Sequence, residues 1–150
     1  MSVQTTTHLN FRGDARAALD FYASVFGGHA VVTTYAELGM PADLPGADGV
    51  VFGLVAADNG FRVMAYDVPG ETGGTLTGGA TTRRENGTTL TDQATFVAVA
   101  LDSLDEAQRH WDRLVAGGTV VEPLAASAWS PGFGMVTDRF GVTWSVSVQG

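Results

Sequence analysis

Residues 103–118 read SLDEAQRHWDRLVAGG, and this stretch sets the interpretation of the rest of the chain. Ser103 and Glu106 have the spacing of a capping box, in which each residue satisfies a free backbone amide at the start of a helix. Apolar residues then recur at helical spacing as far as Val115. The final glycine pair can take the left-handed conformation that ends a helix. The stretch therefore predicts an amphipathic helix over about 103–116.

The same pattern occurs earlier in the chain, where residues 14–28 read DARAALDFYASVFGG. Gly27-Gly28 and Gly117-Gly118, the glycine pairs that end the two patterns, lie 90 positions apart. Asp14 stands where an N-cap belongs, and a carboxylate there can accept a hydrogen bond from the first turn. A second helix is predicted over about 14–26, and the repeated order predicts two copies of one structural unit.

Runs rich in β-formers surround both helical patterns. In the first half they cover 7–11, 29–35, 50–56 and 61–66, and in the second half 95–101, 119–121, 133–137 and 142–148. Each half thus has one strand before its helix and three after it. The prediction is an α+β fold of two βαβββ units, over about 5–68 and 94–149, within one domain spanning 1–150.

The connector at 69–93 leaves two alternatives open. It is rich in glycine and threonine, which suits a flexible linker. However, Asn86-Gly87 stands between two threonine-containing runs, and this dipeptide favours the tight turn of a β-hairpin.

Composition excludes several classes of function. The chain has 150 residues, 45% of them hydrophobic, which suits one globular domain with a real core. Without cysteine it has no disulfide or thiolate metal site, and we expect a reducing cytoplasm. The net charge of −8 disfavours nucleic-acid binding and mildly favours a cationic ligand. No apolar run is long enough for a membrane span, and the polar N-terminus does not resemble a signal peptide.

Four blocks of sequence resemble the PhnB-like branch of the glyoxalase/bleomycin-resistance (vicinal oxygen chelate) superfamily. The blocks are His8–Phe11 with 17–28, then 63–67 (VMAYD), then 105–118, and last Trp129 with 133–144, which contains DRFGVTW. The resemblance implies paired βαβββ units that form a U-shaped mixed sheet around a cavity. It also implies a homodimer. The methyltransferase label that some family members carry is not supported, because the chain lacks a glycine-rich nucleotide-binding loop.

The superfamily's enzymes hold one divalent metal with His, Gln and Glu side chains, and the resemblance suggests where those ligands would lie. His8 occupies a family ligand position, but its repeat mate is Ala98, which cannot coordinate a metal. The third strand reads Phe52-Gly53-Leu54-Val55 where PhnB-like members often have His-Ala-Glu-Leu, and the last strand offers Ser145 and Ser147 in place of Glu. Asp67 would add at most a second ligand to His8, so we expect neither a complete metal site nor another cofactor.

Ligand binding in a partly aromatic cavity is the leading functional hypothesis. We expect the pocket to be apolar and to take a small apolar, planar or cationic molecule. The residues expected at its walls or mouth are His8, Phe52, Met64, Trp129, Phe133 and Trp144. Two alternatives stay open. One is a metal-dependent lyase, isomerase or dioxygenase, and the other is a non-catalytic protein-interaction module.

Overall fold

The computed structural model describes residues 2–70 and 81–149. The chain divides into two compact units, Met1–Thr75 and Leu76–Gly150. The stretch 71–80, part of the predicted connector, lies outside the described residues. No helix within the described residues is long and apolar enough to cross a membrane.

The first unit has the predicted βαβββ order. Its elements are β1 (Thr7–Phe11), α1 (Ala15–Phe26), β2 (His29–Thr34), β3 (Val50–Ala56) and β4 (Arg62–Asp67), with a short 3-10 helix at Ala36–Leu38. The strands form one sheet in the order β1-β4-β3-β2. Strands β1 and β4 are parallel, and the other neighbours are antiparallel.

A β-hairpin precedes the second unit's sheet and resolves the connector's alternatives for this part of the chain. Strands β5 (Arg83–Glu85) and β6 (Thr88–Leu90) pair antiparallel. Asn86 and Gly87 join them with φ values of 52° and 76°. Both lie in the left-handed region that a type I′ hairpin turn requires, which explains the Asn-Gly sequence.

The second unit repeats the order of the first. It contains β7 (Val97–Leu101), α2 (Leu104–Leu114), β8 (Thr119–Ala125), β9 (Phe133–Thr137) and β10 (Thr143–Val148). The sheet order is β7-β10-β9-β8, and the parallel pair is β7 and β10. The α+β class and the two βαβββ units predicted from sequence are therefore confirmed.

Each helix packs on one face of its own sheet at a point where the third strand carries a glycine. A Cβ atom at Gly53 would clash with the Leu19 side chain of α1. A Cβ atom at Gly134 would stand 2.9 Å from the Trp111 ring of α2. Protein cores are packed too densely to absorb such an overlap cheaply. These glycines therefore allow close helix–sheet packing, and they identify the face of each sheet that the helix covers.

The two helices begin in different ways. The Ser103 hydroxyl accepts a hydrogen bond from the Glu106 amide at 3.2 Å, as the capping-box pattern predicts. The prediction that Asp14 caps α1 is wrong, because its side chain makes no capping hydrogen bond. The carboxylate of Asp67, at the end of β4, accepts instead from the amides of Gly13 and Ala15 at 2.7 and 3.0 Å. Asp67, distant in sequence, thus satisfies the first amide of α1 and an amide just before the helix, and it fixes the helix start in place of an Asp14 cap.

Candidate functional site

The first sheet has an open face on the side away from α1. Gly53 points toward the helix, so its neighbours Phe52 and Leu54 point the opposite way. Leu54 and His8 both pair with Met64 of β4, which places all three in one row across this face. The surface is mostly apolar, and the Phe52 side chain is 44% exposed. We call His8, Phe52, Leu54, Met64 and Tyr66 the open face of the first sheet.

His8 is held by two neighbours on the open face. Its Nδ1 atom lies 3.1 Å from the Oδ1 atom of Asn10, within hydrogen-bonding distance. The ring also meets Tyr66 edge-on, with centroids 5.3 Å apart. These contacts orient the imidazole ring, and its Nε2 atom makes no hydrogen bond with any residue of 2–70 or 81–149. Asn10 was not among the residues predicted from sequence.

Asp67 does not join His8. It pairs with Phe11 across β1 and β4, three positions beyond the His8–Met64 pair, so its side chain lies on the α1 face. Its second oxygen accepts from the Val50 amide at 2.9 Å. Both carboxylate oxygens are thus engaged with backbone amides. The two potential ligands counted from sequence are on opposite faces of the sheet.

Tyr35 lies close to Asp67, and its hydroxyl donates a hydrogen bond to the backbone carbonyl oxygen of Asp67 at 2.7 Å. Burial raises the pKa of Tyr35 above 10.0, and Tyr66 and Asp67 raise it further. All three causes oppose a negative charge on the phenol. Tyr35 therefore acts as a neutral donor near neutral pH and has no features of a base.

The donor set does not fit the superfamily's metal. Within residues 2–70 and 81–149, no group of three His, Cys, Asp or Glu side chains could hold an ion. Ala98 is equivalent to His8 and pairs directly with Ser145, which is equivalent to Met64, so these positions offer a methyl group and a hydroxyl. A catalytic site of this type usually needs three protein ligands. Among His8, Met64, Ala98 and Ser145, only the imidazole of His8 is a usual ligand for such a metal.

The second sheet also has a face away from its helix, and the β5–β6 hairpin lies against it. Gly134 points toward α2, so Phe133 and Met135 on either side of it point away. The Thr89 hydroxyl lies 3.5 Å from the Met135 sulfur, and the Arg84 guanidinium carbon lies 5.6 Å from the centre of the Phe133 ring. The hairpin thus brings a cation onto an aromatic ring of the sheet.

The three nitrogen atoms of the Arg84 guanidinium have different surroundings in this cluster. Its Nη1 donates to the Thr89 hydroxyl at 2.9 Å. Its Nη2 lies 3.6 Å from a Glu122 oxygen. Its Nε is buried and has no hydrogen-bond partner among the described residues. Sequence reasoning missed Arg84, although the Asn86-Gly87 turn sets Arg84 opposite Thr89 and so places both on one face of the hairpin.

The tryptophans predicted to line the cavity have very different surroundings. Trp129 is 73% exposed, and its ring centre lies 6.0 Å from that of Phe133. Trp144 is completely buried, and its Nε1 donates to Asp138 at 2.8 Å. Trp144 pairs with Val136, two positions beyond Gly134, so its side chain is on the α2 face. The structure thus places Trp129 and Phe133 side by side and Trp144 in the core of the unit.

The comparisons with known proteins agree with this architecture. Proteins of 34% identity over 134 residues occur in Mycobacterium bovis (Mb0911c) and Mycobacterium tuberculosis (Rv0887c). Each match covers 89% of this chain, and it covers 75% of the M. bovis protein and 67% of the M. tuberculosis protein. Both relatives are described as uncharacterized.

Solved structures show the same fold. Protein PA1353 from Pseudomonas aeruginosa has a TM-score of 0.75 at 28% identity, covering 99% of this chain and 98% of its own. A PhnB protein from Bacillus cereus, titled a putative 3-demethylubiquinone-9 3-methyltransferase, has a TM-score of 0.70 at 22% identity. That match covers 98% of this chain and all of the other. The similarity to the Bacillus cereus protein is one of fold, and it agrees with the PhnB-like sequence blocks.

A family model describes nearly the whole chain. It matches residues 6–146, which include both helices and both four-stranded sheets except the last two residues of β10. The repeated units, the matched residues and the solved neighbours lead to one assignment. The chain belongs to the Glyoxalase/Bleomycin resistance protein/Dioxygenase superfamily.

Proposed function

We propose that this chain is a small-molecule binding protein without a complete metal site, and that its ligand is apolar or planar. The exposure of Trp129 is the observation that carries the proposal. Trp111 and Trp144 are 6% and 0% exposed, whereas Trp129 leaves 73% of its surface in water beside Phe133. An exposed tryptophan next to a second ring offers a flat stacking surface.

The composition of the open face of the first sheet also supports small-molecule binding. Phe52, Leu54 and Met64 provide apolar surface there, and His8 and Tyr66 add polar groups. Small-molecule sites typically combine a mostly apolar lining with a few placed polar groups. His8 is held by Asn10 in one orientation, which suits a group that fixes the orientation of a ligand.

A binding screen tests the proposal. Planar aromatic compounds, neutral and charged, would be titrated into the native protein while tryptophan emission and heat of binding are recorded. We expect binding that quenches Trp129, and we expect Trp129→Ala to weaken it by about 1 kcal/mol, roughly fivefold, through loss of the aromatic contact.

Leu38→Ala is the matched control, because Leu38 is also an exposed apolar side chain, at 69%. It should bind as the native protein does. Equal losses in the Trp129 and Leu38 variants, or no binding by the native protein across the screen, would contradict the proposal.

The enzyme alternative is less well supported, because it needs metal ligands beyond His8. We expect protein purified without chelator to contain well below one equivalent of zinc, manganese, iron or nickel by elemental analysis. A stoichiometric metal that His8→Ala removes would replace this proposal with a metal-dependent activity. Asn10→Ala is a suitable companion variant, since it disturbs the orientation of His8 and leaves the imidazole in place.

We also propose that the protein is a homodimer, which rests on the resemblance to PhnB-like proteins. Strands β1 and β2 are the edges of the first sheet, and β7 and β8 are the edges of the second. Uncovered edges offer free backbone groups to another chain. Light scattering should give about twice the monomer mass of 15.6 kDa, and a monomer at micromolar concentration would refute this.

A further inference from the structure

Arg84 has more donors than its described neighbours accept. A guanidinium group carries five N–H donors. The Arg84 side chain donates one hydrogen bond to Thr89, and its 3.6 Å separation from Glu122 is too long for a second. The buried Nε has no described acceptor. The guanidinium is therefore incompletely satisfied although its side chain is only 18% exposed.

The unsatisfied donors share one edge of the group. Nε and Nη2 project in parallel from the same side of the planar guanidinium, and this side forms two-point hydrogen bonds with carboxylates. Here Nε has no partner, and Nη2 has the distant Glu122 oxygen. Buried donors without acceptors are costly and uncommon in folded proteins. Nε has almost no accessible surface, so a ligand carboxylate can approach this edge only from the Nη2 end, where it would supply the acceptor that Nη2 lacks.

An aromatic surface adjoins this cation. The guanidinium carbon is 5.6 Å from the centre of the Phe133 ring, and the Trp129 ring centre is 6.0 Å from the same point. A molecule that joins a flat ring to a carboxylate matches this pairing of a cation with exposed aromatic surface.

The net charge of −8 does not exclude an anionic ligand at this position. At physiological ionic strength, charges on the surface are largely screened beyond about 8 Å. The acid paired with Arg84 is Glu122, whose side chain is 38% exposed and free to turn toward water. The positive charge of Arg84 therefore interacts with a ligand carboxylate more strongly than the distant acidic residues do.

We propose that Arg84 binds the carboxylate of a planar aromatic acid through Nη2, while the ligand's ring lies against Phe133 and Trp129. This inference rests on the proposed binding function and narrows its ligand to one chemical class. The carboxylate takes the place of the Glu122 oxygen beside Nη2.

The test compares two probes of the same shape, 2-naphthoate and its neutral amide, by isothermal titration calorimetry. The native protein should bind the carboxylate about tenfold more tightly than the amide, as expected for hydrogen bonds to a charged group. Arg84→Gln should abolish this preference and leave amide binding within about twofold. Arg83→Gln is the matched control, because Arg83 is on the same strand but is well exposed and paired with Glu85.

A second variant keeps the test decisive if Arg84→Gln fails to fold. Glu122→Gln should strengthen carboxylate binding by up to about fivefold, because it removes the competing charge of a partly exposed ion pair. Equal affinities of the native protein for the two probes, or a preference that persists in Arg84→Gln, would overturn this inference and leave the proposed function intact. If the native protein binds neither naphthyl probe nor any compound of the wider screen, both proposals fail.

Discussion

Replacing Asp67 with alanine should destabilise the first unit far more than replacing Asp14, although Asp14 is the residue next to the helix. The Asp67 carboxylate accepts hydrogen bonds from the amides of Gly13, Ala15 and Val50. Gly13 is exposed, and water can replace its acceptor. Ala15 and Val50 are 0% and 1% exposed, so their amides would lose their acceptor without access to water.

The magnitude follows from those two amides. An unsatisfied buried donor costs about 1–3 kcal/mol, so two predict a loss of about 4 kcal/mol in the free energy of unfolding. For a chain of this length, 1 kcal/mol corresponds to about 2–4 °C, so the melting temperature should fall by about 8–16 °C. Asp67→Asn should lose about half as much, because its amide oxygen still accepts and its NH2 group cannot.

Urea denaturation followed by circular dichroism, together with calorimetry, measures the effect. Asp14→Asn is the control, and it should cost under about 1 kcal/mol, since it loses only a favourable charge near the helix start. Equal losses in the Asp67 and Asp14 variants would refute the assignment of Asp67 as the anchor of α1.

Three further predictions concern stability. Because the pKa of Tyr35 is raised in the fold, its contribution is complete below the ordinary tyrosine value of 10.0 and is lost as pH rises through the raised value. Stability should therefore fall as the pH rises from about 10.0 toward the raised pKa, and Tyr35→Phe should flatten the decline in denaturation curves taken across this range; identical slopes would contradict it. Gly134→Ala places a Cβ atom 2.9 Å from the Trp111 ring and should cost about 1–3 kcal/mol in urea denaturation, whereas an unchanged midpoint would mean that the helix does not pack there. Trp144→Phe loses a buried indole hydrogen bond and core volume, so a loss of about 2–4 kcal/mol is expected by calorimetry. The exposed Trp129→Phe should stay within about 0.5 kcal/mol, and similar losses in both variants would count against the burial difference.

Much of the fold could be predicted from local sequence. The Ser103 capping pattern, the two apolar helical stripes and the glycine pairs act over a few residues of backbone, and the structure contains both helices within two residues of the predicted ends. The turn at Asn86-Gly87 follows from the conformations that these two residues tolerate, and it produces the β5–β6 hairpin. Repetition of these signals was enough to predict two βαβββ units.

The partners of individual side chains depended on tertiary structure. Gly13 and Asp67 are 54 positions apart, and the parallel pairing of β1 with β4 brings them together, so no local pattern could select Asp67 over Asp14. Strand register likewise decided that Trp144 faces α2. Packing of the β5–β6 hairpin against the second sheet placed Arg84 over Phe133, across 49 positions of sequence. Local chemistry determined where the helices and turns form, and packing determined which side chains meet, because that choice depends on contacts between strands distant in sequence.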